Sequence, residues 1–116
     1  MNIQIGWVHL MNEVWAVDFD GTLCEENFPN IGTPHMGVIE HFKELRKNGD
    51  FLILWTCRSG KLLEDALKWC TNYGIEFDAV NENLEHRIQK YNNDPRKIGA
   101  DHYCDDMADD SWKKYL

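Results

Sequence analysis

Short apolar runs alternate with longer stretches of helical periodicity along this chain. Val14-Trp15-Ala16-Val17 is β-branched and aromatic and ends in the acidic turn Asp18-Phe19-Asp20-Gly21, which predicts a buried strand with chemistry at its exit. Thr33-Pro34 then offers an N-cap and a first-turn proline. Met36, Ile39, Phe42 and Leu45 recur on one helical face, and Asn48-Gly49 stops that helix. A second strand is expected over Phe51–Trp55, which shows no polar alternation. Ser59 can cap a second helix carrying Leu62 or Leu63, Ala66, Leu67 and Cys70 inward and ending at Gly74. Phe77–Val80 reads as a third strand, 84–93 as a polar helix ended by Asp94-Pro95, and Asp101–Cys104 as the last strand. Ser111–Leu116 reads as a terminal helical turn.

Unalternating strands separated by amphipathic helices imply βαβ units, hence an open α/β domain with a parallel sheet of about four strands covered on both faces. Ligands in such sheets bind at the carboxyl ends of the strands, near the point where strand order reverses. With 116 residues, a single domain over residues 14–116 is expected. Residues 1–13 read as a leading extension or an edge strand.

Composition narrows the function classes. Twenty acidic against twelve basic residues give a formal charge of -8, which repels phosphate backbones and anionic membranes and so disfavours nucleic acid or a bilayer as partner. Cys24, Cys57, Cys70 and Cys104 are widely spaced, and no secretory or membrane-spanning stretch is visible, so reduced thiols in a cytoplasm are expected. His102 and Cys104 match no usual zinc spacing, and the thiols read as small buried groups. Trp15 and Trp55 read as core.

The candidate chemistry lies at the strand ends. Asp18 and Asp20 are two apart, so on extended backbone both carboxylates can point into one pocket, and Gly21 permits a tight turn after them. Thr56 closes the second strand, Lys97 precedes the last, and Asp105-Asp106 follows it. A hydroxyl and an ammonium can hold a phosphoryl group, and clustered carboxylates are hard ligands suited to Mg²⁺. Singly, each has a plain structural reading: a capped strand end, a solvated lysine, an acidic tail. Their coincidence in one order favours phosphoryl transfer.

In these motifs the chain resembles the haloacid dehalogenase superfamily of phosphatases. Asp18-Phe19-Asp20-Gly21-Thr22 matches that family's D-x-D-G-T motif; Thr56, Lys97 and Asp105-Asp106 match the other three, with Lys90 an alternative to Lys97. The resemblance spans residues 14–106. It implies a Rossmann-like three-layer sandwich and a phosphate monoester hydrolase in which Asp18 forms an aspartyl-phosphate and Asp20 is general acid and base. By the same resemblance Thr56 and Lys97 hold the phosphoryl group, and Gly21, Thr22, Cys57 and Arg58 lie on the substrate side. Mg²⁺ would be bound by Asp18, the Asp20 carbonyl and the acidic pair, with Asp106 the direct ligand and Asp105 behind it. Between Asp20 and Thr56 there is room for a loop and one helix, and from Thr56 to Lys97 for two helices and a strand, so no cap domain is expected. The loop Cys24–Pro34 would screen a phosphorylated small molecule or macromolecule, alone or in a homo-oligomer.

The competing reading is a receiver-like module, or a phosphate- and Mg²⁺-binding protein without turnover. A receiver would carry its phosphorylated aspartate after the third strand. Here that strand is followed by Asn81.

Overall fold

Strands β1 (Val14–Val17), β2 (Phe51–Leu54), β3 (Ala79–Val80) and β4 (His102–Cys104) form one parallel sheet in the order β3-β2-β1-β4. The computed structural model describes residues 12–94, 97–105 and 111–116. Helices α1 (Met36–Lys47), α2 (Gly60–Asn72) and α3 (Glu85–Tyr91) connect successive strands, and a 3₁₀ helix covers Ser111–Tyr115. The expected open α/β sandwich is the fold observed.

The register explains the two-faced core. Val17 sits opposite both Leu54 and Cys104, and Ala16 opposite Ile53 and Tyr103. Because side chains alternate along each strand, Val17, Leu52, Leu54 and Cys104 share one face. They pack with Val38, Ile39 and Phe42 of α1, Ala66 and Cys70 of α2, and Trp112. Val14, Ala16, Ile53 and Ala79 share the other face, packed with Leu84 and Ile98 at either end of the α3 connection. Each large apolar side chain buried this way contributes about 1.5–3 kcal/mol. The chain steps from β1 to β2 to β3 in one direction, with α1 and α2 on one face. It then returns past β2 and β1 to reach β4 and takes the other face, as right-handed crossovers require.

Aspartates tie down the amino ends of the strands. Asp101 Oδ2 accepts the Val14 amide at 2.7 Å, Asp50 Oδ1 the Glu13 amide at 3.1 Å, and Asp78 Oδ2 the Leu52 amide at 2.8 Å. They satisfy amides that begin the ladder.

Several boundaries differ from expectation for identifiable reasons. α1 starts at Met36 with His35 at its N-cap, because Thr33-Pro34 is drawn back onto the preceding loop. Thr33 O accepts the Glu25 amide, Pro34 bridges Cys24, and the His35 amide donates to Leu23 O. Met36, expected inside, is 45% exposed. Ser59 occupies the N-cap of α2 without a side-chain capping bond. The third strand is confined to Ala79–Val80; at Asp78 the amide still donates to Leu52 O, but the Leu52 amide is taken by the Asp78 side chain rather than by a backbone carbonyl. The 3₁₀ helix lies against α1: a Cβ on Gly37 would stand 2.0 Å from Tyr115 O, and His41 stacks on Tyr115 with ring centroids 3.7 Å apart. Only a residue without Cβ lets the two backbones approach so closely. The expected extension over residues 1–13 falls almost entirely outside the described residues.

Candidate active site

The strand order places the reversal between β1 and β4, with β2 on the other side of β1. Hydrogen bonding continues one step past the strands: the Asp18 amide donates to Cys104 O at 3.0 Å and the Trp55 amide to Val17 O at 2.9 Å. Asp18 therefore stands across from Trp55 on one side and Asp105 on the other. These three residues, with Thr56 and Cys57, line a cavity of about 240 Å³ at the carboxyl edge of the sheet. Asp18 and Asp105, predicted from distant parts of the sequence, are brought together on the α3 face.

Asp20 goes elsewhere. After Asp18 the backbone leaves the strand: Asp20 forms an isolated bridge with Cys24, and Gly21 adopts φ 85°. The Asp20 carboxylate is gripped by Arg58, Nε donating to Oδ2 at 2.8 Å and Nη2 to Oδ1 at 2.7 Å. Asp20 does not line the cavity with Asp18, so the expectation that period-two spacing aims both carboxylates into one pocket is corrected. A paired guanidinium outcompetes the strand geometry for Asp20.

Arg58, expected to contact substrate, is buried instead, its side chain 1% exposed. Besides Asp20 it donates to Pro29 O at 3.2 Å and Asn30 O at 3.0 Å, and its guanidinium lies over the Phe19 and Phe28 rings. The hydrogen bonds to Asp20 hold its pKa above the ordinary arginine value. It fastens the loop after Cys24 to the base of the site. Thr22 is likewise turned into the core rather than toward substrate. It is fully buried, its carbonyl meets His35 Nδ1 at 2.8 Å, and its hydroxyl has no hydrogen-bond partner among the described residues.

Thr56 lines the cavity while its Oγ1 accepts the Arg58 amide at 3.1 Å and its own amide donates to Asn81 Oδ1 at 2.8 Å. Asn81, with φ 53°, thus pins the exit of β2 from the end of β3. Sequence reading noted Asn81 only as the residue after the third strand; its pinning role had no signal beyond that place. Lys97 is exposed in the loop before β4 and is not among the cavity-lining residues; its carbonyl accepts Asn83 Nδ2. Lys90 is exposed on α3. Asp106 lies outside the described residues.

Trp55, read from the sequence as core, is 37% exposed. It falls one position past the end of β2, where burial by flanking helices stops. His102 stacks on Trp15 and pairs with Glu13, and Cys104 is fully buried.

A larger groove of about 360 Å³ lies by α1, lined by residues that include Glu40, Lys43, Arg46 and Glu76. Two of its cations are engaged: Lys43 with Glu40, and Arg46 with Glu76 and Asp78.

The donor set there suits a divalent cation. Asp18 and Asp105 offer hard carboxylate oxygens to one space, and Mg²⁺ is commonly held by one or two carboxylates plus substrate phosphate and water. Among the described residues no three His, Cys, Asp or Glu side chains cluster tightly enough to form a complete cage. No described helix is long and apolar enough to cross a membrane.

No family model and no curated protein matches the chain. A solved structure does: the conserved protein coded by a locus of Bacteroides thetaiotaomicron shares 36% identity over 89% of this chain and 85% of that one, with a TM-score of 0.76. Identity at that level across most of both sequences, on a common fold, makes the chain a member of the same family as this conserved Bacteroides thetaiotaomicron protein.

Proposed function

We propose that the chain is a phosphate monoester hydrolase of the haloacid dehalogenase type. The observation that carries the reading is the meeting of Asp18, Thr56 and Asp105, from the ends of three different strands, in one cavity beside the strand-order reversal.

In this reading a carboxylate oxygen of Asp18 attacks phosphorus as the bond to the leaving oxygen breaks, giving an aspartyl-phosphate and an alkoxide that takes a proton. Water then attacks phosphorus, loses a proton, and releases inorganic phosphate and free Asp18. By the motif resemblance, Asp20 is assigned to give and take those protons, although it does not line the cavity with Asp18. Its oxygens are engaged by Arg58, so at least one of them must be shared or surrendered when substrate binds. The Thr56 hydroxyl is oriented by the Arg58 amide at its oxygen, which leaves its own proton for a phosphoryl oxygen. Lys97 would reach the phosphoryl group only after its exposed side chain folds inward. Mg²⁺ held by Asp18 and Asp105, with Asp106 adjacent in sequence, would offset the repulsion between an anionic nucleophile and an anionic substrate. The substrate is a phosphorylated small molecule or macromolecule. The free cysteines, three of them buried, suit a reducing cytoplasm.

A panel of phosphate monoesters assayed with Mg²⁺ and with a chelator tests the reading. Turnover that requires Mg²⁺ and disappears in Asp18→Asn, a near-isosteric change, is the expected result. Full activity in a pure Asp18→Asn preparation overturns it.

A further inference from the structure

Phosphoryl chemistry accounts for the carboxylates and the hydroxyl of the cavity but not for its largest side chain. Trp55 presents an indole 37% exposed among residues that otherwise serve charge and hydrogen bonding. It is also braced. Tyr103 meets it edge-on, ring centroids 5.2 Å apart at 63°, and Tyr103 is itself anchored, its hydroxyl donating to Ile98 O and accepting the Ala100 amide. An exposed ring held from behind keeps one surface ready for contact at little loss of conformational freedom.

We propose that Trp55 is a stacking platform for the leaving group, so that this site takes phosphate monoesters of alcohols bearing a flat aromatic ring, a mononucleotide or an arylalkyl phosphate. The inference rests on the phosphatase reading above. Asp18, Thr56 and Asp105 are all committed to the phosphoryl end. Among the described residues the cavity offers, beside the indole, Cys57, which has little to give the hydroxyls of a bare sugar. A formal charge of -8 favours a single nucleotide over a nucleic-acid strand.

Two matched pairs test the platform: adenosine 5′-monophosphate against ribose 5-phosphate, and benzyl against ethyl phosphate. Within each pair the reacting ester is closely similar and the ring is what differs. At least one aromatic member is expected to be preferred in kcat/KM by about tenfold or more, the scale of one aromatic stack. Trp55→Ala should collapse that ratio toward unity, and Trp55→Phe, which keeps a ring, should retain most of it. Equilibrium titration of adenosine 5′-monophosphate and benzyl phosphate into wild type and Trp55→Ala reads the platform without turnover. About tenfold weaker binding of an aromatic ligand in the variant supports it even if every monoester resists hydrolysis, an outcome that would sink only the phosphatase reading. No aromatic preference in either pair, or a preference and affinity unchanged in Trp55→Ala, overturns the platform. So does a 3′-phosphorylated oligonucleotide preferred over the mononucleotide.

Discussion

Arg58 and Asp20, 38 positions apart in sequence, form a two-point ion pair beneath the candidate active site. The carboxylate side chain is 15% exposed and the guanidinium 1%. The same guanidinium holds two loop carbonyls, at Pro29 and Asn30, so the position of Asp20 and the closure of the loop are set by one side chain.

Removing Arg58 strands a half-buried carboxylate and takes a donor from three carbonyls, those of Pro29, Asn30 and Leu62. Arg58→Ala is expected to lower the unfolding free energy by about 3 kcal/mol, the low end for a broken buried pair because Asp20 keeps some contact with water. Lysine restores charge but not the planar fork, so Arg58→Lys should recover less than half of the loss. Urea denaturation of both variants measures it, and a change within about 0.5 kcal/mol for Arg58→Ala would remove the structural role assigned to the pair.

Thiol labelling should sort the cysteines by position. Cys57 is exposed on the cavity wall, whereas Cys24, Cys70 and Cys104 are buried. Burial pushes the Cys24 thiol up and the Cys70 thiol up to about 12, which further suppresses their thiolates. Mass spectrometry after brief alkylation of the folded protein should find one adduct, at Cys57, with the others labelling on the timescale of unfolding. Alkylated protein should lose the proposed phosphatase activity because the adduct fills the cavity, and inorganic phosphate with Mg²⁺ should slow the modification.

Stability should depend on pH through His41. Burial against Tyr115, and secondarily the charge of Lys114, lower its pKa below the ordinary 6.5. The unfolded chain therefore binds the proton more readily than the folded one. From this group stability is unaffected above about pH 7 and falls as pH drops through 6.5 toward the depressed folded value. His41→Phe, which keeps a ring on Tyr115, should flatten the slope of urea midpoint against pH between about 5 and 7. An unchanged slope would show that His41 protonates equally in both states.

The framework was legible because local signals and tertiary structure agree. Val14–Val17 is apolar without interruption and became the central strand, and Asn48-Gly49 ended the helix it was expected to end. The site was half legible. Asp18, Thr56 and Asp105 were readable from motif and strand end, since topology carries strand ends to one edge. The orientation of Asp20 and the burial of Arg58 and Trp55 differ from expectation because they depend on partners remote in sequence. An arginine two positions past the motif threonine reads as a substrate contact until the carboxylate that claims it is known, and a tryptophan closing an apolar run reads as core until the strand is seen to stop one residue earlier. Aspartates posed the same problem in reverse. Asp50, Asp78 and Asp101 cap ladders at the amino edge, while Asp18 and Asp105 face the cavity at the carboxyl edge, and composition alone does not separate the two roles.

The strand order has a consequence for the newly made chain. β4 is synthesised last of the four strands yet pairs with β1, the first, and Asp101 reaches back 87 positions to hold the Val14 amide. Until that closure, β1 is an uncovered edge and Asp18 has no Asp105 opposite it. A ribosome-bound or carboxyl-truncated chain would carry the proposed nucleophile and the phosphoryl-binding hydroxyl without their acidic counterpart, and would be both inert and open to strand-to-strand aggregation. Closing so distant a pair is the slow class of folding event. The appearance of the proposed activity during refolding should therefore lag the formation of the β1–β2 half of the sheet and keep time with the docking of β4.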